Sequence, residues 1–230
     1  MRIEPPVAAR EKRLATLLAA AGRDAADARL AEAVEDAQLL GSLELAGVRC
    51  SWDELRASRR GEGPAEATAL RRAREAVPPQ APLTVEALRA WHAAIAGAVG
   101  FRRTPSEREG APTAPPERIA ERLATLEEWL VAPGIRDLAP AQAAGLACAR
   151  IVEVRPFDDA NGRVARLAAS HLMVAGGLRP PVLVAGDGPY LLACLRAAFR
   201  LDTESLVALL SEASARALEV MIQALERGVV

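Results

Sequence analysis

Arg155-Pro156-Phe157-Asp158-Asp159-Ala160-Asn161-Gly162-Arg163-Val164-Ala165-Arg166 decides how this chain is read. It joins two apolar segments with helical spacing, one over roughly Pro140 to Val154 and one over Val164 to Gly176. A glycine-containing turn that feeds a helix gathers free backbone N–H groups and the positive end of the helix dipole. Arg163 and Arg166 are three apart, so both project from the first turn on neighbouring azimuths. Asn161, Gly162, Arg163 and Arg166 therefore form a candidate site for a di- or triphosphate. Asp159 is a candidate ligand for a divalent ion bridging phosphate oxygens. The plainer alternative is a helix–turn–helix joint with solvated arginines.

Outward from this turn, composition favours helix. Hydrophobic residues make up 51% of the chain and aromatics only 3%, so Ala and Leu rather than β-branched or aromatic side chains fill the core. At 230 residues the chain can bury a full core without disulfides or metals. The net charge of −1 gives no global field toward nucleic acid or acidic lipid, and no nucleic-acid partner is expected. Cys50, Cys148 and Cys194 are too widely spaced for a zinc site or a disulfide framework and read as buried thiols. Residues 1–30 lack the pattern of a signal peptide, and no apolar run is long enough for a membrane span. The expectation is a cytoplasmic protein with one domain and a possible appendage.

The periodicity predicts helices across most of the chain. Leu14, Leu17 and Leu18, then Leu30, Val34 and Leu39, mark two helices separated near Gly22 and Asp24. Ser51 reads as an N-cap with an acidic first turn behind it, and Thr84 as another, for a helix carrying Leu88, Trp91 and Ile95. A helix over about Ala67 to Ala76 carries Arg71, Arg72 and Arg74, read as a solvated face. Pro78-Pro79-Gln80-Ala81-Pro82 is a stop, dividing an N-terminal helical segment (1–77) from the main domain (78–230). Gly100 to Pro116 is a polar, Arg-rich excursion too long for a simple turn. Helices over about 117–130, 190–200 and 203–226 complete an all-α fold. Trp52, Trp91 and Trp129 accompany helical Leu spacing and read as core.

The opening stretch resembles the Fic (Fido) family signature His-Pro-Phe-x-Asp/Glu-Gly-Asn-Gly-Arg-x-x-Arg. The similarity continues through Pro82-Leu83-Thr84 with Leu88 and Trp91-His92, through Gly100-Phe101-Arg102, and through Leu178-Arg179-Pro180-Pro181. The resemblance implies a Fic fold, with a flap hairpin over 101–116 that positions a protein target. It also implies an AMP-transfer site using ATP and Mg2+. By position, Asp159 would hold the metal. Asn161, Gly162 and Arg163 would form the anion loop, and Arg166 would hold the γ-phosphate. Ser42-Leu43-Glu44-Leu45-Ala46-Gly47 aligns with the family's inhibitory-helix motif, with Ala46 where a Glu pairs with the second motif arginine.

Two motif positions depart from the family. Arg155 stands where the catalytic His takes a proton from the target hydroxyl, and Ala160 replaces a loop glycine. A guanidinium stays protonated and offers only donors, so Arg155 is no general base. It is left to clamp a phosphate or carboxylate, or to pair with Glu153, Asp158 or Asp159. Ala160 puts a methyl group where backbone must approach an anion and hinders positive φ. Near Tyr190 to Phe199, the positions of the family's base-contacting Asn and Tyr pair read Cys194 and Ala198-Phe199. The expectation is a pseudoenzyme or binding module for a nucleotide or other anionic small molecule, or an enzyme with altered chemistry. A weak adenylyltransferase acting on Ser, Thr or Tyr hydroxyls is the alternative. His92 reads as core or cap. His171 would replace the missing base only if its ring reached back over Arg166.

Overall fold

The structure is a computed structural model that describes residues 4–21, 23–106 and 113–227. Its centre is a pair of helices on either side of the opening stretch, α7 (Pro140–Val154) and α8 (Asn161–Ala175). Ala144, Ala147 and Ile151 of α7 and Val164, Ala165 and Ala168 of α8 are fully buried. Small side chains on facing helices let the two backbones approach closely, so an alanine-rich, aromatic-poor sequence still builds a dense core. Pro140 at the first position and Gln142 Oε1, accepting from the Ala139 N–H at 2.9 Å, start α7 cleanly.

The other helices wrap this pair. α5 (Val85–Ala96) lays Trp91 and Leu88 into the core, and α6 (Ile119–Val131) adds Ile119, Leu123 and Leu126. Thr84 caps α5 through the Ala87 N–H at 3.1 Å, and Glu127 of α6 accepts from the Val85 N–H at 2.8 Å, fixing the two helices end to end. On the opposite side lie α9 (Gly188–Ala198) and the long α10 (Glu204–Arg227). α1 (Glu4–Ala21) and α2 (Arg23–Glu44) run against α10, where Leu14 and Leu30 meet Leu218 and Ile222. α3 (Trp52–Ala57) and α4 (Ala65–Glu75) join α2 to the rest through Leu39, Leu43, Leu55 and Leu70. Packing thus crosses the division expected at 77/78, because apolar faces of α2 and α4 are completed by α10 and α5.

Three expectations are corrected. Trp52 is 47% exposed, because it opens α3 directly after the Ser51 cap and Leu55 alone faces inward. Arg71 is no solvated residue. It is buried and reaches Asp36 Oδ1 at 2.9 Å, the Leu55 carbonyl at 3.3 Å and Glu35. Arg74 likewise turns inward to Gln38, leaving only Arg72 of the three on the surface. Cys148 and Cys194 are buried, but Cys50 is only half-buried. The described arms of the expected flap, 101–106 and 113–116, carry no strand pairing, and its tip at 107–112 lies outside the described residues. The arms are held instead by buried Arg102, which donates to the carbonyls of Arg155 at 2.6 Å and Thr104 at 2.8 Å and also to that of Ala114.

Candidate functional site

The turn between α7 and α8 is built on two left-handed residues. Arg155 ends α7 at φ 51°, ψ 62°, and Ala160 precedes α8 at φ 55°, ψ 4°. Each costs about 1–2 kcal/mol relative to glycine or a right-handed conformation. Ala160 adopts the positive φ its glycine counterpart would take, so the substitution strains the loop without reshaping it.

What holds the turn is mostly buried and local. Phe157 is fully buried, stacked on the His92 ring at 3.9 Å, with Phe101 tilted against it at 5.8 Å. The Asn161 side chain spans the loop, accepting from the Phe157 N–H at 3.0 Å and donating to the Phe157 carbonyl at 2.8 Å. Asn161 therefore shapes the loop with its side chain. The first N–H engaged inside α8 is that of Val164, bonded to the Ala160 carbonyl at 3.0 Å. The N–H groups of Asn161, Gly162 and Arg163 precede it at the positive end of a 15-residue helix.

In front of them opens a cavity of about 560 Å³, the size range of small-molecule sites. Arg155, Asp159, Gly162, Arg163 and Arg166 form its polar wall. Leu191, Leu192 and Leu195 of α9, with Leu45 and Ala46 just beyond α2, form the apolar one. All six site residues read from the sequence, Arg155, Asp159, Asn161, Gly162, Arg163 and Arg166, meet at this one cavity.

Charge in the cavity is unbalanced. Among the described residues Arg166 has no carboxylate partner; its Nε donates to Ser42 Oγ at 3.0 Å and its Nη2 to the Ser42 carbonyl at 2.7 Å. Loss of solvent lowers its pKa to about 10, well below the usual guanidinium range. Gly162 leaves it room, since a Cβ there would lie 3.2 Å from Arg166 Nη1. Among the described residues no carboxylate comes within ion-pair distance of Arg155, and its Nε is buried without a hydrogen-bond partner. The alternatives of pairing with Glu153, Asp158 or Asp159 are not realised. Glu153 instead serves Arg150 at 2.6 Å and Arg122 at 3.6 Å, while Asp159 lies 4.0 Å from Arg163 Nη2.

Asp159 is the one acidic side chain lining the cavity, and it is 64% exposed. Mg2+ is commonly held by only one or two carboxylates, with phosphate and water completing the shell, so a single open carboxylate could share in holding it. His92 Nδ1–H donates to the Ala98 carbonyl at 3.0 Å, and its Nε2 lies 3.4 Å from Asp159 Oδ1, so the ring adjoins the carboxylate as well as the core. His171 does not reach over Arg166. Its Nε2–H donates to the Ala81 carbonyl at 2.6 Å and its ring meets the edge of Trp91.

Residues 82–173 match the model of the Fic/DOC family. These residues are a Fic/DOC domain. The likeness in fold extends over nearly the whole chain. Fic-1 from C. elegans superposes with a TM-score of 0.75 at 19% identity, over 97% of this chain and 72% of that one. A Fic domain containing signaling protein from Bacteroides thetaiotaomicron gives 0.79 at 18% identity, over 96% of this chain and 98% of that one. In sequence, the protein adenylyltransferase fic-1 of Caenorhabditis briggsae is 37% identical over 68 residues, and the protein adenylyltransferase Fic of Drosophila grimshawi 34% over 84. Those segments are 30% and 36% of this chain but only 13% and 17% of the relatives' length. No helix of the described residues is long and apolar enough to cross a membrane.

One contact at the Fic site had no signal in the sequence motif itself, the clasp of Arg166 by Ser42. The two residues are 124 positions apart. The sequence showed only that Ser42 begins a stretch aligned with the inhibitory helix. Gly41 makes the clasp possible, because a Cβ there would lie 1.7 Å from the Leu183 carbonyl oxygen and push the end of α2 away.

Proposed function

We propose that this Fic domain binds a nucleotide through its phosphates and lacks the general base for transferring AMP to a hydroxyl. The observation that carries the reading is the set of Arg155, Arg163 and Arg166 lining one cavity, with Asp159, 4.0 Å from Arg163, the one acidic residue lining it among the described residues. A desolvated cation such as Arg166 is costly to keep without a carboxylate, and an anionic ligand beside a helix N-terminus offsets that cost. Mg2+ bound at Asp159 would neutralise further phosphate charge.

The chemistry of transfer lacks a proton acceptor. Arg155 stands at the turn where the resemblance puts the base, and a guanidinium does not take a proton there. Removing a general base costs roughly 10²–10⁴ in rate. A residual adenylyltransferase is the second reading, favoured by the similarity to relatives named protein adenylyltransferases.

Calorimetric titration with ATP and Mg2+ tests the first reading. Saturable binding by the native protein, lost in Arg166→Ala, is the expected result. Failure to bind at millimolar ATP would sink it. Labelled AMP transferred to protein by the native chain would favour the second reading, and transfer appearing only in Arg155→His the first.

A further inference from the structure

We propose that a second, smaller cavity between α2, α4 and α8 holds one small monovalent anion of the halide class, such as chloride. It adjoins the larger cavity, and Arg166 lines both. None of the turn residues 155–163 lines it, so the proposal does not draw on the nucleotide reading.

The cavity measures about 40 Å³, room for one or two waters or a single-atom ion and too little for a nucleotide. Its polar lining is Gln38 and Ser42 of α2, Arg74 of α4, and Arg166 and Ser170 of α8. Two cross-links join α2 to α8 there. Ser42 Oγ accepts from Arg166 Nε at 3.0 Å, and Ser170 Oγ accepts from Gln38 Nε2 at 3.1 Å. Gln38 and Ser42 are one helical turn apart, as are Arg166 and Ser170, so the cross-links stack about 5–6 Å apart. An ion midway between them would lie about 3 Å from both serine oxygens, the reach of a hydrogen bond.

What the cavity offers is donors. Ser42 and Ser170 each accept one bond and donate none among the described residues. Ser211, by contrast, donates to the Val207 carbonyl one turn back at 2.8 Å. Arg74 engages Gln38 Oε1 through Nη1 alone, which leaves its Nε and Nη2 donors unspent. The Gln38 oxygen is thereby taken, and the Gln38 amide nitrogen serves Ser170 and the Pro181 carbonyl, the latter at 3.0 Å. A water in this place finds partners for its lone pairs and too few for its hydrogens, whereas an anion accepts from every side.

Charge points the same way. Glu35, whose charge acts on Arg74, is engaged by Arg71, and Asp36 is shared by Arg71 and Arg59, each at 2.9 Å. Among the described residues no carboxylate comes within ion-pair distance of Arg74 or Arg166, whose bonds go to Gln38 and Ser42. Burial holds both guanidinium pKa values below the usual range, as expected of cations that a buried negative charge would stabilise.

Thermal melting of the ligand-free protein at fixed ionic strength tests the proposal, with sodium chloride replacing sodium gluconate, whose anion is too large for the cavity. Chloride should raise the Tm of the native protein saturably by roughly 3–6 °C and that of Arg74→Met by less than ~1 °C. Ser170→Ala keeps the charge and removes one donor, and should need ~10-fold more chloride for half of the rise. Crystals of the native protein grown in sodium bromide should show an anomalous peak between Ser42 and Ser170, a readout that stands even where Arg74→Met does not fold. No rise with chloride in the native protein, or an unchanged midpoint in Ser170→Ala, would overturn the proposal. An equal rise in Arg74→Met would also overturn it, by assigning the ion to the larger cavity. So would bromide crystals with no anomalous peak in this cavity. None of these measurements uses a nucleotide, so their failure leaves the nucleotide reading standing.

Discussion

At Ala160 the chain keeps a glycine's conformation without glycine's freedom. Ala160→Gly should therefore stabilise the protein by about 1 kcal/mol, a rise of roughly 2–4 °C in Tm, with the α7–α8 turn unchanged. A fall in Tm would mean that unfolded-state entropy outweighs the relief of strain. Arg166 is the opposite case, a side chain kept at a cost. Burial lowers its pKa in the folded protein to about 10, well below the ordinary guanidinium value. The unfolded chain therefore holds the proton more tightly, and the penalty is fully present at neutral pH, receding only as pH rises through about 10. Arg166→Met should raise the Tm of the ligand-free protein, by about 1–3 kcal/mol of added stability, while abolishing ATP binding. Ser42 is not orphaned by that change, since a helical serine can bond the carbonyl one turn back. Thermal melts with and without ATP check both halves. The identities of these residues were legible in the sequence and their states were not. Ala160 reads in the sequence as hindering positive φ, yet the loop imposes it, and the desolvation of Arg166 depends on α2, which the motif does not mention.

Among the elements, α7, α8 and the turn between them were readable because caps, periodicity and motif all agree over one short stretch. Contacts between distant elements were not. Arg71 looked like a surface charge because its partners Glu35 and Asp36 lie on α2, and helical spacing alone does not say which polar residue faces a buried carboxylate. The end of α2 is likewise more than a spacer. Ser42 clasps Arg166, and Ala46 just beyond lines the cavity facing the arginines. A carboxylate at 46 would meet the charges that a phosphate is proposed to meet. Ala46→Glu is thus expected to raise the Tm of the free protein and to weaken ATP by at least ~10-fold, since a charge-assisted pair must be broken for each ligand bound. Raising ionic strength should narrow the difference between variant and native protein. Undiminished ATP affinity in Ala46→Glu would show that the side chain turns away from the cavity.

Across the whole molecule, the N-terminal helices act as structure as much as cover for the site. α2 gives Glu35 and Asp36 to Arg71, Gln38 to Ser170 at 3.1 Å and to the Pro181 carbonyl at 3.0 Å, and Ser42 to Arg166. α1 and α2 together cover Leu218, Ile222, Ala217 and Val182. Deleting residues 1–44 would leave Arg71 a buried cation without a carboxylate, a loss of about 3–5 kcal/mol. Uncovering Leu218 and Ile222 would add about 1.5–3 kcal/mol each. The sum is comparable to the entire stability of an ordinary domain, about 5–15 kcal/mol. The truncated chain is therefore expected to show no cooperative transition in scanning calorimetry and to aggregate through the exposed face of α10. A truncated chain that melts cooperatively within a few degrees of the full one would mean that the remaining helices form a self-sufficient core. The segment would then be a detachable cover. In that event ATP affinity separates two roles for the clasp: a rise would make Ser42 a restraint on Arg166, and a fall would make it the support that aims the guanidinium at the ligand.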